Sequence, residues 1–339
     1  MRVLMWRGPR QMALETAELP VPGAGEVLLR VPAVGICGSE LSGYLGQNSL
    51  RVPPLIMGHE FGGEVIARGP GVGAPLEGAR VVVNPLTRCG ACAYCRAGAE
   101  NLCPERTLIG AHRPGGFADF VAVPAACCHP LPPGVGWIEA SLVEPLACGV
   151  HAVRQAGVEA GGCLLVIGAG PMGLMALVAA RAAGVTDVHV SDPNLRRLEV
   201  LRGLGAAILN PAREDVPARV RARYGLGVQA CIDCVGLPLT RRQAVAALRP
   251  KGRAVMLGLH ENESAFAVND LVRAETEIVG SFSYAAADFA RALDLMAAGA
   301  VHPDPHWLQV RPLHDGPAAF ERLLAAGERD AVTKVVLEP

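Results

Sequence analysis

The sequence predicts an α/β chain of two domains, a β-rich one followed by a doubly wound parallel sheet, on three observations. Its 339 residues exceed what one hydrophobic core usually supports. The first third consists of short alternating or β-branched runs punctuated by Gly and Pro. From about Gly149 the rhythm changes, and buried strand-like runs alternate with helical patterns.

In the first part, residues 26–34, 61–67, 80–84 and 118–123 read as strands of a small barrel. In the second, strands at 164–167, 187–191, 230–234, 253–258 and 277–281 are separated by helices at 172–183, 195–204 and 239–248. These five runs come close to the roughly six parallel strands of a doubly wound dinucleotide-binding sheet. After Tyr284 a helix at 288–298, a Pro-rich stretch around 303–312 and a closing run at 332–337 do not extend the alternation. The expected division is therefore 1–148, 149–284 and a C-terminal segment, 285–339.

A formal net charge of −1 with 19% charged residues leaves no basic field for nucleic acid or an anionic membrane. The most lipid-like stretch, 164–180, is broken by Gly168, Gly170, Pro171 and Gly173 and falls short of the ~20 apolar residues that span a bilayer. It reads as strand, tight turn and helix. Eleven cysteines, with no long apolar region in the opening residues, fit a reducing cytoplasm better than a secreted disulfide framework.

Four of those cysteines carry a metal signal. Cys89, Cys92, Cys95 and Cys103 form Cys-x-x-Cys-x-x-Cys followed by a fourth thiol within a short loop, a spacing that lets backbone turns aim sulfur at a tetrahedral Zn²⁺. An iron–sulfur cluster shares part of the pattern, but no second cluster set exists in the sequence, so structural zinc is the stronger reading. Cys231 and Cys234 also stand as Cys-x-x-Cys; they lie in an expected strand, where thiols serve as small core hydrophobes.

Gly168-Ala169-Gly170-Pro171-Met172-Gly173 follows a strand and opens a helix, the context that gives Gly-x-Gly-x-x-Gly a mechanism. Gly168 permits the turn, Gly170 lets backbone approach a pyrophosphate, and Gly173 allows close helix–strand packing, with the phosphates at the helix N-terminus. Asp192, at the end of the next strand, is placed to accept from an adenosine ribose and to repel a 2′-phosphate, which favours NAD over NADP. Arg196 and Arg197 follow closely, and Arg197 completes the expected cofactor set.

Gly35-Ile36-Cys37-Gly38-Ser39, Gly58-His59-Glu60-Phe61-Gly62-Gly63 and Glu144-Pro145-Leu146-Ala147, together with the cysteine lobe and the glycine fingerprint, resemble the zinc-containing medium-chain dehydrogenases. The resemblance is to their polyol, sorbitol-like branch, and it runs nearly end to end. It implies a GroES-like catalytic domain, a Rossmann domain, a C-terminal return to the catalytic domain, and an active site in the cleft between domains. It further implies that Cys37 and His59 hold a catalytic zinc, with Glu60 and Glu144 as carboxylates of which one yields during turnover. Ser39 matches the hydroxyl that begins proton removal. A homotetramer is implied as well.

Departures from the family pattern bear on the proton path and the substrate. The family often continues Cys-Gly-Ser-Asp-x-His, whereas this chain has Glu40, Leu41 and Ser42, so the relay histidine is replaced by serine. Ser283 stands where polyol enzymes often carry arginine in Gly-x-Phe-Arg-Tyr, which weakens the case for sorbitol itself. The Glu-Pro-Leu segment argues against the threonine dehydrogenases. Arg51 and Arg113 are the arginines that could meet an acidic or phosphorylated substrate, although lone arginines are more often solvated; His151 reads as packing or helix start.

The expected activity is thus NAD-dependent, zinc-dependent oxidation of a secondary alcohol or polyol to a carbonyl compound. Two rivals remain: a zinc-free quinone or enone reductase of the same superfamily, and a zinc-stabilised NAD-binding sensor without turnover.

Overall fold

The computed structural model describes residues 1–325 and 334–339; residues 332 and 333 of the expected closing run lie outside them. The chain divides into two compact units, Met1–Glu144 with Leu293–Pro339, and Pro145–Ala292.

The first unit is organised around one long strand, Glu26–Gly35. It pairs antiparallel with Glu60–Arg68, Phe120–Pro124 and Lys334–Glu338. Covered by neighbours, it is buried along most of its length, whereas Phe120–Pro124 keeps the alternation of a strand buried on one face. Arg80–Val83 and Cys128–Pro130 extend the sheet on one side, and Leu308–Pro312 on the other. Trp6, Leu29, Phe61, Phe117 and Phe320 fill the core. Phe320 comes from the helix Gly316–Leu324 and meets Phe117 edge-on at 5.8 Å.

Register places the chemistry. Gly35 lies opposite Glu60 on one side and Val336 on the other, so the ends of three strands meet at one point. The chain leaves Gly35 through Ile36 and Cys37 into the short helix Gly38–Tyr44.

The second unit is a six-stranded parallel sheet. In spatial order its strands are Ala207–Leu209, Asp187–Ser191, Cys163–Ile167, Val228–Asp233, Leu248–Met256 and Glu277–Gly280. From Cys163–Ile167 the chain steps outward over two strands to one side, then crosses back and steps outward over three to the other, which is the doubly wound order with a switch point beside that strand. Leu164, Leu165 and Val166 are fully buried, as a central strand covered on both faces requires. Cys231 belongs to this core, and burial pushes its thiol well above the ordinary range; the Cys234 thiol is pushed up for the same reason.

Within this unit Asp288 ties the helix Ala286–Ala297 to His151 at 2.7 Å and to Arg154 at 2.8 Å. Burial alone would raise the Asp288 carboxyl, but His151 and Arg154 outweigh it and hold it well below the usual range. His151 is thus part of a packing network. Among the described residues no helix is long and apolar enough to cross a membrane.

Candidate active site and metal centres

The four lobe cysteines converge. One sulfur from each of Cys89, Cys92, Cys95 and Cys103 lies within 4.8 Å of all the others. A tetrahedron with Zn–S bonds of about 2.3 Å has S···S edges of roughly 3.8 Å. The Cys89–Cys95 and Cys89–Cys103 pairs lie at 3.9 and 3.6 Å, so the cage has the dimension the ion needs. The backbone N–H groups of Ala91 and Cys92 donate to the Cys89 sulfur and bring its pKa down to about 7. Desolvation, and hydrogen bonding to Cys92, push Cys95 up to about 12. Thiols this close do not all ionise unless a cation joins them.

The second group lies at the meeting of three strand ends. Cys37, His59 and Glu60 each offer one ligand atom, all within 4.8 Å of one another. His59 and Glu60 are 4% and 1% exposed. Thiolate, imidazole and carboxylate are the donor set of a catalytic zinc site with one position left open. Glu144 is buried in the first turn of the helix Val143–Ala156 and is not part of this group.

Glu40 orients the imidazole, a role the sequence did not disclose. As the third residue of the helix Gly38–Tyr44, it reaches back to accept from the Cys37 N–H at 2.9 Å, half of a capping box. Its other oxygen accepts from the N–H groups of Gly58 and His59 and meets His59 Nδ1 at 2.8 Å. Burial would lower the His59 pKa, but Glu40 and Cys37 hold it well above the ordinary value. A cation captured here would displace a proton, and Glu40 at Nδ1 would leave the other nitrogen to bind it. The capping-box spacing of Cys37 and Glu40 was the signal in the sequence.

Lys334 was also missed. It is 2% exposed, donates to the Ile36 carbonyl at 3.0 Å and forms an ion pair with Glu60. Burial would lower its pKa, but Glu60 and Cys37 outweigh burial and raise it. The lysine is charged throughout the neutral range.

Ser39 donates to the Cys37 sulfur at 3.4 Å. Its oxygen accepts from the Arg51 guanidinium at 3.2 Å. Ser42, standing where the family has a histidine, donates instead to the Ser39 carbonyl at 3.0 Å. Arg113 is engaged by Glu26 at 2.6 Å and by the Ala122 carbonyl.

In the second unit each fingerprint glycine has a separate physical reason. Gly168 has φ +102°, and a Cβ there would strike Val235. A Cβ on Gly173 would collide with the Gly168 carbonyl. Gly170 faces open space, so a ligand can approach its backbone, and Pro171 then Met172 begin the helix Pro171–Ala182. Asp192 is 7% exposed; its carboxylate accepts from the Ala169 N–H at 2.8 Å and the Asn194 N–H at 2.7 Å. It thereby braces the glycine loop. Asn194 caps the next helix through the N–H groups of Arg196 and Arg197.

Comparison with known proteins agrees with both halves. Residues 23–133 match the alcohol dehydrogenase GroES-like domain and residues 171–298 the zinc-binding dehydrogenase model. The chain is 34% identical over 305 residues to the L-galactonate-5-dehydrogenase of Escherichia coli, covering 90% of this chain and 89% of that protein. The solved 2R,3R-butanediol dehydrogenase of Bacillus subtilis superposes with a TM-score of 0.92 at 30% identity, covering 100% of this chain and 99% of that one. A Sinorhizobium meliloti protein solved bound to NADP also gives 0.92, at 31% identity and with coverage of 100% and 99%. With a GroES-like unit, a doubly wound dinucleotide sheet and relatives matched over nearly their whole length, the chain belongs to the zinc-containing medium-chain dehydrogenases, in their polyol and alcohol dehydrogenase branch.

Proposed function

We propose that the chain oxidises a secondary alcohol or polyol to the ketone with NAD, reversibly, at a zinc held by Cys37, His59 and Glu60. The observation that carries this reading is the convergence of those three donors within 4.8 Å of one another. When bound, zinc supplies Lewis-acid polarisation of the alcohol oxygen and the nicotinamide supplies the hydride acceptor. The relatives act, by their names, on L-galactonate and on butanediol, both of which carry secondary alcohols. A second zinc belongs to Cys89, Cys92, Cys95 and Cys103, where it ties down a lobe with little core of its own.

The chain's own residues prepare the chemistry. One thiolate and one carboxylate balance a divalent charge, and neutral imidazole completes the protein ligands. Because Lys334 competes for the Glu60 carboxylate, Glu60 is the ligand that yields; Glu144, which lies outside the three-donor group, is the second carboxylate that the family resemblance implies. The Ser39 hydroxyl takes the alcohol proton. Arg51 cannot accept it, and Ser42 points to a carbonyl, so the proton leaves to water without a protein imidazole.

Gly168, Gly170, Pro171, Met172 and Gly173 cradle the dinucleotide, with Asp192 and Arg197 near its adenosine end. The Asp192 carboxylate supports NAD over NADP, whatever the preference of the NADP-bound relative. Asp192→Asn keeps the shape and an acceptor for the loop but removes the charge. It is expected to shift the NAD-to-NADP ratio of kcat/KM toward NADP by about 10- to 100-fold, the worth of one charged hydrogen bond. An unchanged ratio would remove Asp192 from cofactor selection.

A panel of alcohols and polyols assayed with NAD before and after chelation tests the whole reading. Metal-dependent NADH formation is expected. Metal-independent reduction of enones would favour the zinc-free reductase, and cofactor binding without turnover the sensor. The divisions 1–148, 149–284 and 285–339 are proposed as functional domains, the assembly as a homotetramer, to be measured by light scattering, and the location as the reducing cytoplasm. All eleven cysteines are free thiols, which supports the last point.

A further inference from the structure

Arg51 is 4% exposed, yet its guanidinium makes one hydrogen bond, to the Ser39 hydroxyl, and its Nε is buried with no partner. Among the described residues no carboxylate lies within ion-pair distance of it. Glu40 attracts it through space, but both Glu40 oxygens are already engaged by Cys37, Gly58 and His59. Taking a guanidinium out of water is costly unless an anion pairs with it, and this one has no such partner among the described residues. The position is built: Gly43 leaves the groove in which the Arg51 side chain runs, and a Cβ there would strike its Cδ and Nε.

We infer that Arg51 is the receptor for a carboxylate carried by the substrate a few carbons from the hydroxyl that is oxidised, making the substrate class a polyhydroxy acid. This deepens the dehydrogenase reading and rests on it. The guanidinium presents a planar fork that matches a carboxylate in bidentate fashion. A single fork beside the negative Glu40 suits a monoanion and disfavours a phosphate dianion. One face of Ser39 meets Cys37 and the other meets Arg51, so the same hydroxyl sets the spacing between the oxidised carbon and the acid group.

The test compares six-carbon aldonates with the corresponding hexitols, using zinc-loaded wild type and NAD. Wild type is expected to favour an aldonate in kcat/KM, mainly through KM, with a preference that weakens as salt is raised. Arg51→Gln should lower the aldonate-to-hexitol ratio by about 10²- to 10³-fold, the cost of truncating one side of a buried charge pair. Arg51→Lys should recover part of the ratio through charge without the fork. No aldonate preference in wild type, or a ratio untouched by Arg51→Gln, overturns the inference. The wild-type comparison stands even if the variants do not fold. Absence of turnover on aldonates and hexitols alike, with zinc and NAD present, instead removes the dehydrogenase reading beneath it.

Discussion

Replacing His59 by alanine should lower kcat/KM for alcohol oxidation by at least about 10³-fold, since Lewis-acid stabilisation of developing charge is worth several kcal/mol. Zinc content should fall by about one equivalent per chain and no more, because the cysteine lobe has its own four sulfurs. His59 is the donor least open to replacement. Cys37 shares its region with Ser39 and Glu60 with Lys334, whereas the imidazole is held by Glu40 through a 2.8 Å contact to Nδ1. Alanine there also leaves the buried Glu40 without its ring partner, so the variant is expected to lose thermal stability as well as metal. Steady-state kinetics and elemental analysis on the same sample check both parts. Full zinc content with low activity would mean that His59 acts on substrate and not on the ion.

The elements most legible in the sequence were those with an unbroken period. The strand Asp187–Ser191 and the helix Pro171–Ala182 combine a clean repeat with Gly or Pro at the ends, and fall where their pattern places them. The strand Ala207–Leu209 is three residues long, too short for any period to show. The helix Val216–Tyr224 was hidden by its arginines, which leave only Val216, Pro217 and Val220 buried. Leu248–Met256 begins earlier than its apolar run because the stretch around Lys251, with φ +57°, is carried along by pairing to Val228.

Much the same division applies to the site. The lobe cysteines were legible because their spacing has a chemical reason, and Cys37, His59 and Glu60 because the residues flanking them resemble those of the zinc-containing medium-chain dehydrogenases. Lys334 was not, because its meaning depends on a partner that only the folded sheet supplies, and Arg51 was legible only as a lone arginine that could meet an acidic substrate. Lys334 lies 274 positions from Glu60 in sequence. Its one clue is a lysine immediately before the apolar run Val335, Val336 and Leu337, in a strand whose centre is buried. A charge that enters such a strand needs a buried counter-charge.

That counter-charge makes Lys334→Met the most informative stability variant. In metal-free protein the substitution leaves the Glu60 carboxylate and the Ile36 carbonyl without their donor, at 1% and 4% exposure of those residues. Breaking a buried pair from one side costs about 3–5 kcal/mol. The raised Lys334 pKa fixes the sign of the pH dependence. A lysine raised above its unfolded value contributes fully below that value and loses the contribution only as pH rises through the folded one. On the lysine side the effect is therefore constant across neutral pH and fades in strong alkali. Zinc should change the outcome, because a cation held by Cys37, His59 and Glu60 would neutralise the same carboxylate. Denaturant midpoints should then show a large loss for Lys334→Met in chelated protein and a smaller one in zinc-loaded protein, with tighter zinc binding in the variant. Equal losses with and without zinc would mean that Glu60 never reaches the ion, and the carboxylate ligand would have to be Glu144.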